Sequence, residues 1–237
     1  MKKIFILISF FVFSFNARAL DSWTDGFTMR AGLSFTMVAM STDKFIDNTE
    51  SSPEDPEDEA RTFGFGGVTS IHYRLGNYEF GVASDVLFGV IRDATFVSKG
   101  STIRGQGGFR LVSFGPQFKY FTPYNLFNYA NFYAGAGPSW SFQTFVFTDS
   151  TTTGNFNGKN RVGFENIGGG IFFGLEQITP SKSDHPMFLE VAYNYMHSYK
   201  VSILDASRSA DVITLSEGDS NDFSAHYIVI RLGASLF

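Results

Sequence analysis

Residues 27–39 read FTMRAGLSFTMVA, and the spacing within them decides the fold. Phe27, Met29, Ala31, Leu33, Phe35, Met37 and Ala39 fall on one face of an extended chain, and Thr28, Arg30, Gly32, Ser34 and Thr36 on the other. Successive side chains of a strand point to opposite faces, so this strand has one apolar and one polar side. Strands in soluble proteins run about five or six residues. Here the alternation holds for thirteen, and a tilted strand needs about 9–11 residues to cross a bilayer.

Outward from that segment, the same period of two recurs seven times. A second stretch, Arg61 to Leu75, carries Phe63, Phe65, Thr69, Ile71, Tyr73 and Leu75 on its apolar face. A third, Tyr78 to Val90, carries Tyr78, Phe80, Val82, Val86, Phe88 and Val90. A fourth, ending near Phe121, has Val112, Phe114, Pro116, Phe118 and Tyr120 in phase. The fifth begins near Tyr129 and shows Ala130, Phe132, Ala134, Ala136, Trp140 and Phe142. The last three show Ile167, Ile171, Phe173 and Leu175; then Met187, Leu189, Val191, Tyr193 and Tyr195; then Ile228, Ile230, Leu232, Ala234 and Leu236.

The connections alternate in length. Gly76-Asn77 joins the second and third stretches, and short segments starting near Thr122 and Thr179 join two further pairs. The other four, about 41–60, 91–105, 148–162 and 200–222, are long. Short periplasmic turns and long extracellular loops are the habit of outer-membrane barrels, and an even strand number puts both termini in the periplasm. Ten strands would need a further hairpin inside a long loop, where no strong alternation stands. The reading is an all-β chain: a transmembrane antiparallel up-and-down β-barrel, of eight strands.

Residues 1–19 stand outside this pattern. Lys2 and Lys3 precede a largely apolar run, Ile4 to Phe15, and Ala17-Arg18-Ala19 has the small-x-small form of a cleavage site. The expected organisation is a signal peptide over 1–19 and an outer-membrane β-barrel over 20–237. The leader carries three of the 18 basic residues, so the rest holds 15 against 23 acidic ones, a net charge of −8. That balance excludes nucleic acid as a partner, since its binders gather positive charge on one face. With no cysteine, neither a disulfide framework nor a thiolate metal site is possible.

Glycine checks the phase independently. Twelve strand glycines, among them Gly32, Gly64, Gly66, Gly81, Gly135 and Gly174, fall on the polar face, and only Gly67 and Gly169 on the apolar one. An eight-stranded barrel has an interior just wide enough for side chains, so positions without one make room for Tyr133, Phe172 and Tyr227. The runs 64–67 and 168–170 are not phosphate loops, because the strand pattern continues after them where a helix should start.

Charges share that inward face. Arg30, Arg74, Lys119 and Arg231 stand there against Glu79, Asp85, Glu176 and Glu190, with His72 beside them. Unpaired buried charge is costly, so the four positive and four negative groups are expected to pair as a lumen network, mostly in the periplasmic half. A two-residue turn at Gly76-Asn77 sets one register directly, placing Arg74 opposite Glu79 and Tyr73 opposite Phe80.

The signal peptide, eight amphipathic strands, long outer loops and terminal Phe237 together resemble the small bacterial outer-membrane barrels of the OmpA-domain, OmpX and OmpW type. The resemblance covers residues 20–237 and rests on pattern. It implies location in the outer membrane, contact with outer-membrane lipid, and a C-terminal insertion signal at Phe237 read by the barrel-insertion machinery. Phe237 is out of phase with Leu236, so either Gly233 marks a bulge that resets the phase or the last residue leaves the barrel.

The acidic segment 41–60 holds Asp43, Asp47, Glu50, Glu54, Asp55, Glu57, Asp58 and Glu59 against Lys44 alone. Clustered carboxylates can take divalent cations, but Pro53, Pro56 and the lack of EF-hand spacing favour a solvated acidic loop. The last loop, with Asp205, Asp211, Glu217, Asp219 and Asp222, reads alike. As catalysts, the best candidates are His197, Ser198 and Glu190, or His72 with Ser84 or Asp85. Adjacent strand residues point to opposite faces, so His197 and Ser198 do not share a site. The expectation is a non-catalytic barrel without cofactor or metal, presenting extracellular loops and contributing to envelope integrity or to contacts with an unknown surface partner. A narrow porin-like channel for small solutes and an outer-membrane lipid-modifying enzyme are the alternatives.

Overall fold

A computed structural model describes residues 25–41, 45–47, 60–98, 101–126, 130–178, 185–205, 213–214 and 224–236. The leader expected at 1–19, nearly all of the acidic segment 41–60 and Phe237 lie outside the described residues. Eight long strands make the body: β1 (Asp25–Ser41), β3 (Ala60–Leu75), β4 (Tyr78–Ser98), β5 (Ser101–Leu126), β6 (Ala130–Thr152), β7 (Lys159–Glu176), β8 (Met187–Asp205) and β10 (Ser224–Ser235). Two short ones are added, β2 (Phe45–Asp47) on β4 and β9 (Ile213–Thr214) on β8, with a single 3-10 turn at Gly154–Phe156. Successive long strands pair antiparallel, and β10 pairs with both β8 and β1, closing an eight-stranded ring.

Following partners around the ring measures its stagger. Ala31 leads to Thr69, Ser84, Phe114, Trp140, Ile167, His197 and Ser224, and Ser224 returns to β1 at Ser41, ten residues above the start. Ten residues rise about 33 Å, set against eight interstrand spacings of about 4.8 Å, so the strands tilt by about 40°. At Gly76 φ is +57°, and Asn77 has no positive φ, the glycine-first form of the primed hairpin turn. Arg74↔Glu79 and Tyr73↔Phe80 are opposed in register, as the turn dictates.

The outer face is apolar over a limited height. In β5 it runs from Tyr120 through Phe118 and Phe114 to Val112; in β6, from Phe132 to Phe142. Nine to eleven residues at that tilt span about 25 Å, the height of a lipid-facing band. Rings mark its edge nearest the short turns, where Phe27 meets Tyr73 edge-on at 5.1 Å and Tyr78 stacks on Phe118 at 5.9 Å. Beyond the other edge the outward residues turn polar: Arg104, Gln106 and Arg110 on β5, Thr148 on β6, and Lys200 on β8 are exposed.

The long connections differ from the sequence reading. The described part of segment 91–105 is strand: β4 continues to Ser98 and pairs with β5 down to Ser101. Much of 148–162 is likewise paired strand, and β8 runs on to Asp205. These hairpins carry the sheet well past the apolar band. Bulges hide them from a period-two search. The register shifts between Ile91 and Ala94 of β4, at Thr148 of β6, at Asn160 of β7, and at Tyr199 of β8, which stands between Ser198 and Lys200. An extra residue moves every later side chain to the opposite face. At the other end, pairing continues to Leu126↔Ala130, and Ala130, expected outside, is buried past a register shift between Phe121 and Asn125. No shift occurs at Gly233, whose partner is Gly32 within an unbroken ladder. Of the two readings of the end of the chain, the resetting bulge at Gly233 is absent from that ladder.

The interior is filled in layers. Toward the long hairpins, Phe96, Phe109, Phe145, Phe147, Phe156 and Phe164 form a buried aromatic plug, with Phe145 edge-on to Phe164 at 5.8 Å. Below it lies a polar layer in which Asn166 donates to Ser141 at 3.0 Å and Tyr227 donates to Gln143 at 3.2 Å. The lowest layer holds the charges. Glycine is required where large rings cross the lumen: a Cβ at Gly135 would run into the Phe172 ring.

Candidate functional site

All nine inward residues singled out in the sequence fall in one half of the lumen. Arg30, His72, Glu79, Asp85, Lys119, Glu176, Glu190 and Arg231 are buried, and Arg74 is nearly so, at the short-turn rim. Each is set by strand parity, and the barrel's narrow bore puts non-neighbouring strands within side-chain reach of each other.

Starting at the rim, Arg74 Nη1 donates to Glu176 Oε2 at 3.2 Å, while its guanidinium lies 3.8 Å from the centre of the Phe121 ring. Glu176 Oε1 accepts from Arg30 at 2.7 Å and from Ser235 at 3.2 Å. Arg30 grips Glu79 with both terminal nitrogens, one bond being Nη2 to Oε2 at 2.8 Å. Glu79 faces Lys119 at 4.0 Å, and Lys119 donates to Glu190 at 3.2 Å. Glu190 pairs in turn with Arg231, whose Nε and Nη2 take both oxygens of Asp85 at 3.0 and 2.7 Å. Asp85 is further held by Ser34 at 3.0 Å. Read in order, Arg74, Glu176, Arg30, Glu79, Lys119, Glu190, Arg231 and Asp85 make a ladder of eight groups alternating in sign.

Arg74 and Glu79 are opposed as the sequence requires, but the ion pairs run differently. Arg30, the sixth residue of β1, takes Glu79 across the bore, and Arg74 reaches to Glu176 on β7. A register argument sees only neighbouring strands, and these partners are not neighbours.

His72 sits against this ladder with Nδ1 3.2 Å from Arg30 Nη1 and Nε2 3.3 Å from Gln117 Oε1. Facing an arginine donor, Nδ1 serves as acceptor, which puts the proton on Nε2 where it donates to Gln117. Tyr133 donates to Glu190 at 3.0 Å and offers its ring to Lys119 at 4.9 Å. Ser34, Gln117, Tyr133 and Ser235 therefore complete the first layer, and their inward parity was the signal for them. The Asn166, Ser141, Tyr227 and Gln143 layer was legible by the same signal.

The catalytic candidates do not assemble. Ser198 is buried and donates to Asn166, while His197 lies on the outer face opposite Ser224. Glu190 is eight residues, or about 26 Å of strand, from Ser198 and is engaged by Lys119, Arg231 and Tyr133. Asp85 belongs to Arg231 and Ser34 rather than to His72. Among the described residues no cluster of three or more His, Cys, Asp or Glu side chains could hold a metal. The acidic segments around 41–60 and 205–222 lie outside the described residues apart from short backbone stretches.

A closed eight-stranded ladder, an apolar belt facing outward and an interior of charged, polar and aromatic layers define the architecture of a small transmembrane β-barrel. No protein-family model matches the chain, and no curated protein matches it. Among solved structures it is similar to neisserial surface protein A, at 14% identity over 88% of this chain and 97% of that one, with a TM-score of 0.46. It is similar also to the outer membrane protein OprG from Pseudomonas aeruginosa, at 13% identity over 90% and 95%, with a TM-score of 0.49. The outer membrane protease OmpT from Escherichia coli is similar at 9% identity over 91% and 98%, with a TM-score of 0.35. These likenesses concern the barrel alone.

Proposed function

We propose that this chain is a non-conducting, non-catalytic outer-membrane barrel. It anchors a rigid β-structured platform outside the cell and contributes to envelope integrity or surface contacts. One observation carries the reading: the bore is occupied at two heights, by the charge ladder below and by the aromatic plug of Phe96, Phe109, Phe145, Phe147, Phe156 and Phe164 above. In this reading the extended hairpins face outward from the cell, the short turns face the periplasm, and Phe237, the last residue of the sequence, serves the insertion machinery.

The test is single-channel recording of the refolded protein in a planar bilayer, beside a variant with the 93–103 hairpin tip removed. A silent wild type is expected. Steady conductance in the wild type would instead establish the narrow channel, and turnover of lipid or peptide substrates would establish an enzyme.

A further inference from the structure

One ladder of the wall is interrupted in the middle of the membrane band. β5 and β6 are paired at Phe114↔Trp140 and again at Phe118↔Ala136, with no partners between. The interval holds Gly115-Pro116-Gln117 on one strand and Gly137-Pro138-Ser139 on the other. Proline has no N–H, so neither Pro116 nor Pro138 can donate to the carbonyl across from it. Both flanking ladders continue normally, with Pro116↔Val82 and Pro138↔Gly169 in register. Two backbone carbonyls are thus left without strand donors at a depth where lipid offers none.

A cavity of about 30 Å³ opens on the inner side of this interval. Its lining includes Ser113, Gln117, Ser139 and Asn194, with Asp85 and Arg231 at the end of the charge ladder. The side chains of Ser113, Ser139 and Asn194 make no hydrogen bond with another described residue, whereas Asp85 and Arg231 satisfy each other. A polar cavity needs about 10–15 Å³ and two to four polar partners to hold a water. This one has both.

We infer that the Pro116/Pro138 interval is a built hydration site, in which a buried water supplies the donors that the two prolines lack. It bridges the β5 and β6 carbonyls to Ser113, Ser139 or Asn194. The occupant is neutral, because four positive and four negative groups already balance in the ladder and a small cation would add uncompensated charge. The wall is therefore stitched at this level by solvent in place of peptide.

Water-to-Hα magnetisation transfer tests the site, on the deuterated, Hα-protonated protein in nanodiscs with deuterated lipid chains. The N–H groups of Gly115, Gln117, Gly137 and Ser139 face β4 and β7, so their Hα protons point into the interval. Transfer there should be at least fivefold stronger than at the Hα of Val86 and Ile171, which lie in the same band on intact ladders. The double variant Pro116→Val/Pro138→Val restores two donors, and transfer should fall to the level of those references. Interval Hα protons no stronger than the references would overturn the inference, as would unchanged transfer in the double variant. If that variant does not fold, Ser139→Ala/Asn194→Val removes the side-chain half of the site and must cut the transfer at least twofold. Undiminished transfer there would also overturn it.

Discussion

Replacing Glu79 by glutamine removes one charge from the middle of the ladder while keeping its shape. Glu79 is fully buried, with Arg30 on one side and Lys119 on the other. Its loss divides the ladder in two. Arg74, Glu176 and Arg30 keep one surplus positive charge, and Lys119, Glu190, Arg231 and Asp85 remain balanced. Stranding a buried charge costs about 3–5 kcal/mol. Glutamine can still accept from Arg30, which favours the lower end, about 3 kcal/mol or roughly a 150-fold loss in the folded-to-unfolded ratio.

Two double variants separate charge order from charge number. Arg30→Gln/Glu79→Gln leaves Arg74–Glu176 and the remaining four groups as two balanced pieces, and should recover about half of the loss. Glu79→Gln/Lys119→Gln removes the same net charge but leaves one piece at +1 and the other at −1, and should recover nothing. The assay is urea unfolding in lipid vesicles followed by tryptophan fluorescence and heat-modifiable migration. If Glu79→Gln lies within 1 kcal/mol of wild type, or both doubles recover equally, the lumen is solvent-screened and the ladder argument is wrong.

Three further outcomes are expected. Phe145→Ala opens a void beside Phe109 and Phe164 and should cost about 3–5 kcal/mol in the same titration. Glu165→Gln breaks the exposed Glu165–Lys200 pair outside the band and should cost less than about 1 kcal/mol. A cysteine at exposed Asn155 should label on intact cells with an impermeant maleimide, and one at Asn77 only after the outer membrane is opened; the mass of the extracted protein should correspond to a start at Leu20.

Much of this was legible in the sequence because a strand has a period of two and nothing else in the chain competes with it. Phase alone put Arg30, Lys119, Glu190 and Arg231 inward, and the Gly76-Asn77 turn fixed Arg74 opposite Glu79. What phase cannot supply is the ten-residue stagger, which decides which inward groups meet across the bore. Arg30 and Glu79 become partners only through it. Phase also puts Phe109, Phe145, Phe147 and Phe164 of the aromatic plug inward, whereas Phe96 escapes for another reason. The bulge between Ile91 and Ala94 and the extra Tyr199 invert the alternation, so Phe96 and Ile203 look out of step with strands they continue.

The order of signs in the lumen also governs how this sequence is free to drift. On the lipid side a position asks only for an apolar group, and each can change alone. Inside, the eight charges must disappear two at a time, and only in one phase. Arg74 with Glu176, Arg30 with Glu79, Lys119 with Glu190, or Arg231 with Asp85 can be lost together, each leaving balanced remnants. The alternate couples, such as Glu190 with Arg231, would maroon a lone charge beyond the gap. Descendants of this barrel would therefore shed lumen charge in those four steps, while the outside varies freely around them.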